Sequence, residues 1–539
     1  MDPDRRVARL QLSHHLIYYL ISFSVVLSAS WAGAIGPSKQ CGRAVGNAPI
    51  SQTTCSGQRY DYYGLAAYGT VPSNATDRYG DTLGGFGSAV FFDQSSWNKG
   101  QDGSYHGMIW AMPDRGWNTN GTLNYQSRIH KFSIHLCLAP DASGSHPSPP
   151  NMNLTYLDSV LLTGPDGVPT TSLDADATGF ISYDGFPPLP RATYDGDGFG
   201  GPGLTNVRIT LDCEGLVVDS DGAFWISDEY GPYIYRFSKY GKMLLAIAPP
   251  PAFRPLRNGT VSFSGAEPPM FEPDRFPRPL DPTAGRANNQ GLEGLTISPD
   301  GRFLYAMMQS AMNQEGGPKK KTRRQTRILE YDISDKNSPT LSHEFVVTLP
   351  PYGDESKAAV QSEIHRLSNG QLLILARDSG FGRGADETES KYRHVDVIST
   401  TGATNLAGKW DSTNGSIANA KGILDPNITA ATYCPFLDFN LNSELKKFGL
   451  HNGGPKDDRL LNEKWESLAL VPLGQEDSNA NPEYLLFSFS DNDFITQEGY
   501  QNSGRFRYSD KSGEDIDTQI LAFLVSHGQH AAAMHNAEL

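Results

Sequence analysis

Acidic residues recur along this chain at matching places in a repeated unit. Leu211 to Leu244 reads LDCEGLVVDSDGAFWISDEYGPYIYRFSKYGKML, with Glu214 opening an apolar run, a turn at Asp219-Ser220-Asp221-Gly222, and Asp228-Glu229 closing the return. Asp and Gly accept the backbone angles of a tight hairpin, and Phe224, Trp225 and Ile226 suit a pleated surface. Antiparallel return brings Glu214, Asp228 and Glu229 to one edge. Asn289 to Gln309, NQGLEGLTISPDGRFLYAMMQ, repeats the unit with Glu293 in the opening place. Ser362 to Asp378, SEIHRLSNGQLLILARD, repeats it again with Glu363 opening and Arg377-Asp378 closing. Fourteen residues separate Glu214 from Asp228, and fourteen separate Glu363 from Arg377. A looser copy opens at Glu466 and closes at Asp491 to Asp493; a further one, without an opening carboxylate, ends at Asp114-Arg115-Gly116.

If the four opening glutamates stand on inner strands at one height, Glu214, Glu293, Glu363 and Glu466 face a single axis. Four carboxylates share a small space at neutral pH only when something positive joins them. A hard divalent cation with oxygen ligands is the simplest solution, and Ca²⁺ is the expected one. The plainer alternative is that each Glu bonds main-chain N–H groups of a neighbouring strand. Arg115 and Arg377 close equivalent strands, and guanidinium forks match carboxylate or phosphate oxygens. Cation plus arginine suits hydrolysis of an anionic ester or phosphoester, with a carboxylate as general base. The expected catalytic set is Glu214, Asp228, Glu229, Arg115 and Arg377. The expected substrate contacts are Asp114, Arg115, Arg377, Asp378 and Asp491.

Such repeated hairpins predict an all-β propeller of six or seven four-stranded blades with inserted loops. The composition agrees: 539 residues with 55 Gly, 36 Pro, abundant aromatics and little helical periodicity. Residues 84–525 are the expected propeller. Residues 35–83, with a Tyr-rich strand from Tyr60 to Tyr68, form a disulfide-clipped segment that joins the closing blade, and 526–539 form a loose tail. Residues 1–34 follow the order of a secretory signal: Arg5, Arg6 and Arg9, an apolar run from Leu16 to Leu27, then Ala32-Gly33-Ala34.

An exported chain explains two further features. Asn-X-Ser/Thr sequons at Asn74, Asn120, Asn153, Asn258, Asn414 and Asn427 predict glycosylation. Five cysteines in an oxidising compartment predict disulfides, with Cys41 and Cys55 the nearest pair. Among Cys137, Cys213 and Cys434 a second bridge leaves one thiol over. The net charge of −15 disfavours nucleic acid and anionic membranes as partners, and admits a cation site. The expected partner is a small anionic ester or phosphoester, bound by a monomer with no membrane attachment once the signal is removed.

The segments CEGLVVDSDGAFWISDEYGPYIYRFSKYGK and NQGLEGLTISPDGRFLYAMMQS, PDRG at Pro113 to Gly116, and DTQILAF together resemble the phytase-like family, described as having esterase-like activity. The similarity runs over most of Gly84 to Val525. It implies a secreted or exported propeller hydrolase of ester or phosphoester bonds, with Asp114, Arg115, Glu214, Asp228, Glu229, Glu293, Glu363 and Arg377 as motif positions without assigned roles. The RHGxRxP signature of histidine acid phosphatases is missing, as is a G-x-S-x-G nucleophile elbow. Two alternatives stand beside the hydrolase: a lactonase-like propeller, and a non-catalytic propeller that binds an extracellular ligand.

Overall fold

Each acidic repeat folds as the inner pair of a four-stranded antiparallel sheet. In the computed structural model, which describes residues 41, 48–354, 356–413, 415–474 and 482–529, the Asp219 turn forms as its residue types require. Gly222 takes φ +75°, and the Asp219 carboxylate accepts the Asp221 and Ala223 N–H groups. Val218 then pairs with Phe224, and the two strands run Cys213–Val218 and Phe224–Asp228.

Five antiparallel sheets, not six or seven, form the ring, four of them four-stranded and the fifth six-stranded. Blade 1 opens with Ala89–Lys99, blade 2 with Cys213–Val218, blade 3 with Leu292–Ile297 and blade 4 with Val360–Arg366. Blade 5 opens with Lys464–Trp465 and Ala469–Pro472. The length that suggested more blades lies in inserts instead: between Leu161 and Cys213, between Ile247 and Leu292, and between Ser399 and Thr432. Apolar side chains from facing sheets fill the gaps between blades. Trp225 and Ile234 meet Leu292 and Leu304 between blades 2 and 3, while Trp465 and Phe523 meet Leu375 and Val395 between blades 5 and 4. Each such side chain contributes about 1.5–3 kcal/mol relative to exposure.

Blade 5 is assembled from both ends of the described chain. Thr518–Gln529 lies between Gln58–Val71 and Glu483–Asp491, so an early strand and a late one close the ring together. Ser526 to Gln529, expected in a loose tail, continue this strand and pair with Asp61 to Gln58. Residues 1–34 and 530–539 lie outside the described residues.

The expected Cys41–Cys55 bridge is not formed. Cys41 joins Cys137 across 96 residues, and Cys55 joins Cys434 across 379, leaving Cys213 as a buried thiol. The reason is positional: Cys55 ends the outer strand Ser51–Cys55 of blade 5, beside the outer strand Thr432–Asp438 of blade 4. Sheet order, and not chain distance, decides its partner. Among the described residues no helix is long and apolar enough to cross a membrane.

Candidate functional site

The inner strands begin at one face of the ring, and their first residues carry the acids. In blades 2 and 3 the sequence Glu-Gly opens the strand, and the glycine explains how the acids crowd together. A Cβ on Gly215 would lie 2.5 Å from the Leu295 Cβ, and one on Gly294 would lie 2.8 Å from the Ile364 nitrogen. Only a residue without a side chain lets neighbouring inner strands close to this distance. The preceding residues, Glu214 and Glu293, are thereby brought together.

Strand register sorts the remaining acids. Counting back from the turn, Val218, Ile297 and Arg366 are the last inner-strand partners in blades 2, 3 and 4. Glu214 and Glu293 then occupy the same position, but in blade 4 that position is Ser362. Glu363 falls one place later, where the other two blades have glycine. Its Oε1 accepts the N–H groups of Leu295 and Ile364 at 2.9 and 2.8 Å, so it ties blade 4 to blade 3. Glu363 is therefore a main-chain acceptor and not a member of the acidic group.

The same count aligns the residues at the ends of the second strands: Glu229, Gln309, Arg377 and Asp491. Three of the four reach across their own blade. Gln309 donates to Glu293 Oε2 at 2.9 Å, Arg377 Nε donates to Ser362 Oγ at 3.1 Å, and Asp491 pairs with Lys464. Glu229 Oε1 accepts the Gly291 N–H at 3.0 Å from the next blade. Further ion pairs run between blades. Arg115 Nη1 lies 3.4 Å from Asp212, Arg377 Nη2 lies 2.5 Å from Glu466, and Lys464 lies 3.9 Å from Asp114.

Carboxyl groups outnumber cations here, and burial raises their proton affinity. Burial, then Glu293 and Glu229, push Glu214 well above the usual carboxylate range; burial and then Glu229 do the same to Glu293. Asp212 is pushed up to about 7 by burial against the pull of Arg115, and Asp114 to about 7 by burial against Lys464. Burial disfavours the charge on Lys464, but Asp491, Asp493, Glu466 and Asp114 outweigh it and raise its pKa.

One oxygen from each of Glu214, Glu229 and Glu293 lies within 4.8 Å of the others, and Asp114, Asp212 and Glu214 form a second such group. Glu229 Oε2 and both Asp212 carboxylate oxygens are buried without a hydrogen-bond partner, as are Arg115 Nε and Nη1. Arg115 Nη1 and Asp212 Oδ2 face each other at 3.4 Å, while Glu229 Oε2 and Asp212 Oδ1 keep the free acceptor capacity that buried polar atoms normally use. Oxygen ligands of Ca²⁺ stand about 2.3–2.6 Å from the ion, hence within about 5 Å of one another. The residues fit a hard cation.

Residues 100–494 match the phytase-like family, described as "Esterase-like activity of phytase". The chain belongs to the phytase-like family. It is 56% identical over 502 residues to an uncharacterized secreted protein of Arthroderma benhamiae, covering 90% of this chain and 97% of that one. Among solved structures it resembles a luciferin-regenerating enzyme at 10% identity, with 85% of this chain and 95% of that one covered and a TM-score of 0.26. It also resembles a gluconolactonase of Xanthomonas campestris at 9% identity, with 88% and 98% covered and a TM-score of 0.24. At these scores the structural likenesses carry no argument.

Within this member of the phytase-like family, other expected site residues have different work. A bulge between Ile226 and Asp228 turns the Asp228 side chain back to accept the N–H groups of Asp212 and Gly231. Asp228 thus anchors its loop. Asp378 likewise accepts Ser390 Oγ and the N–H groups of Lys391 and Tyr392. Glu466 belongs to the ring but is engaged by Arg377 and, at 3.5 Å, by Lys464. Two residues were missed from the sequence, Asp212 and Lys464. Both stand two places before an opening glutamate, in DCE and KWE, and that shared offset is the signal that marks them.

Proposed function

We propose that this chain is an extracellular hydrolase of ester or phosphoester bonds that works with a divalent cation, Ca²⁺ first, held by Glu214, Glu229 and Glu293. The observation that carries the reading is the meeting of those three carboxylates within 4.8 Å in a buried site. When bound, the cation would polarise the ester and make water a stronger acid. The chain's own residues supply the rest. Arg115, with Nη1 3.4 Å from Asp212 and Nε without a hydrogen-bond partner, suits a substrate oxygen that carries negative charge. Asp212, with its pKa near neutrality, is matched to taking and returning a proton. Lys464 holds Asp491 and Asp493 and keeps them from drawing the cation away from the trio.

One observation favours a second reading. The Arg377 guanidinium is already paired with Glu466, which removes one of the two expected handles for an anion. A neutral ester such as a sugar lactone then competes as the substrate class. Hydrolysis of phytate, a nitrophenyl phosphate, a nitrophenyl ester and a lactone, each measured with Ca²⁺ and with chelator, separates these readings. Chelator-sensitive turnover of a phosphate or an ester supports the first, and turnover of the lactone alone supports the second. No turnover and no calorimetric Ca²⁺ binding would leave a binding propeller.

Export to the cell exterior is part of the proposal. It rests on the signal-like residues 1–34, on two disulfides, and on a close relative whose name states that it is secreted. The sequon residues Asn74, Asn120, Asn153, Asn258 and Asn427 are exposed and open to glycosylation; Asn414 lies outside the described residues. Glycosidase treatment of protein recovered from the medium should lower its apparent mass.

A further inference from the structure

The inner strands run away from the acidic face, and their far ends surround a cavity of about 1130 Å³. Its wall combines inner-strand residues from all five blades, among them Val90, Leu216, Leu295, Ile364 and Leu470, with Trp110 and Phe224. That volume is at the upper end of what small organic ligands occupy.

The charges at this mouth are the reverse of those at the other. Lys131, Lys239 and Arg366 line it, and among the described residues none has an ion-pair partner. Each lies over an aromatic ring instead: Lys131 4.9 Å from the Trp110 centroid, Lys239 5.2 Å from Tyr240, and Arg366 4.8 Å from Tyr305. The acids that line the same wall are committed elsewhere. Asp93 accepts the N–H and hydroxyl of Ser95; Asp219 holds its turn, Trp225 and Arg236; Glu363 holds main-chain N–H groups. In a chain with a net charge of −15, a partly apolar cavity edged by cations without carboxylate partners favours a ligand that is itself anionic and partly apolar.

We propose that this second mouth binds a small organic anion with an apolar body, its charged head against a rim cation, Lys131 or Arg366, and its body against the aromatic and aliphatic wall. The site is separate from the acidic one and does not depend on the hydrolase reading.

The test uses the full chain and the dye 1-anilinonaphthalene-8-sulfonate, an apolar body with one anionic head, followed by fluorescence. Saturable binding is expected, with displacement by 4-phenylbutyrate and not by its neutral amide. Lys131→Gln with Arg366→Gln should weaken dye binding by about tenfold. Glu214→Gln should leave it within about twofold, because it alters only the opposite mouth. A thermal melt of the double variant confirms that it folds; if it does not, Lys131→Gln alone carries the comparison. Binding that does not saturate, equal displacement by the amide, an unaffected double variant, or loss of binding in Glu214→Gln would each overturn the proposal.

Discussion

The third and fourth blades carry near-copies of one hairpin, and a single place of phase separates what their glutamates do. In blade 3, Glu293 stands on the position that faces the axis, and Gly294 behind it packs against blade 4. In blade 4 the axial position is Ser362, and Glu363 takes the place of the glycine, with its carboxylate bonded to main chain. Strand periodicity is two, so a slip of one residue exchanges the inward and outward faces. The residue that closes the hairpin shifts with it. Arg377 stands where blade 2 has Glu229, which puts a cation into the ring and gives Glu466 a partner. One half of the mouth is thus left rich in unpaired acid, and the other half is neutralised within itself.

Breaking one side of this comparison should differ in kind from breaking the other. The largest effect is expected from Glu293→Gln, which should weaken Ca²⁺ binding by about a hundredfold or more in calorimetry, whereas Glu363→Gln should leave it within about threefold. Next, Arg377→Met leaves the buried Glu466 with only Lys464, 3.5 Å away, as counter-charge and should cost about 3 kcal/mol in denaturant unfolding. Adding Glu466→Gln should recover most of that loss; if it does not, the pair is not what Arg377 contributes. Smaller again, Glu363→Ala removes the acceptor for two buried N–H groups and should cost about 2–3 kcal/mol, with no change in cation stoichiometry.

The last effect is a dependence on pH. Asp114 and Asp212 have folded-state pKa values raised to about 7, above the value of about 4 in an unfolded chain. Between those values the folded protein holds protons that the unfolded chain releases. Their contribution to stability is complete below pH ~4 and is lost as pH rises through ~7. The cation-free protein should therefore lose stability between pH 5 and pH 8 in thermal or denaturant melts, and Ca²⁺ should reverse the trend.

Much of the architecture was legible because it is local. The Asp219 to Gly222 turn, the alternation around Trp225 and the Glu-Gly openings each declare a hairpin within about twenty residues. Three of the site's acids, Glu214, Glu229 and Glu293, were legible for the same reason. The role of Glu363 was not, because its fourteen-residue spacing to Arg377 equals that from Glu214 to Asp228 while both ends are displaced together. Only the pairing register exposes the slip. The disulfides escaped for a different reason, since Cys55 meets its partner 379 residues away through the order of blades around the ring. The number of blades escaped because inserts and strands add equally to chain length.

The way the ring closes also governs how the protein is made. The strand that ends at Gln529 is threaded between one from the start of the fold and one from near its finish. Until it is synthesised, Gln58–Val71 waits with an open hydrogen-bonding edge, and blades 1 to 4 stand as an unfinished arc. A premature stop before Thr518 would leave two bare edges in place of a missing end, and such a product would be drawn to aggregate. The cell therefore has a natural test for a complete molecule, which is whether the arc has become a circle.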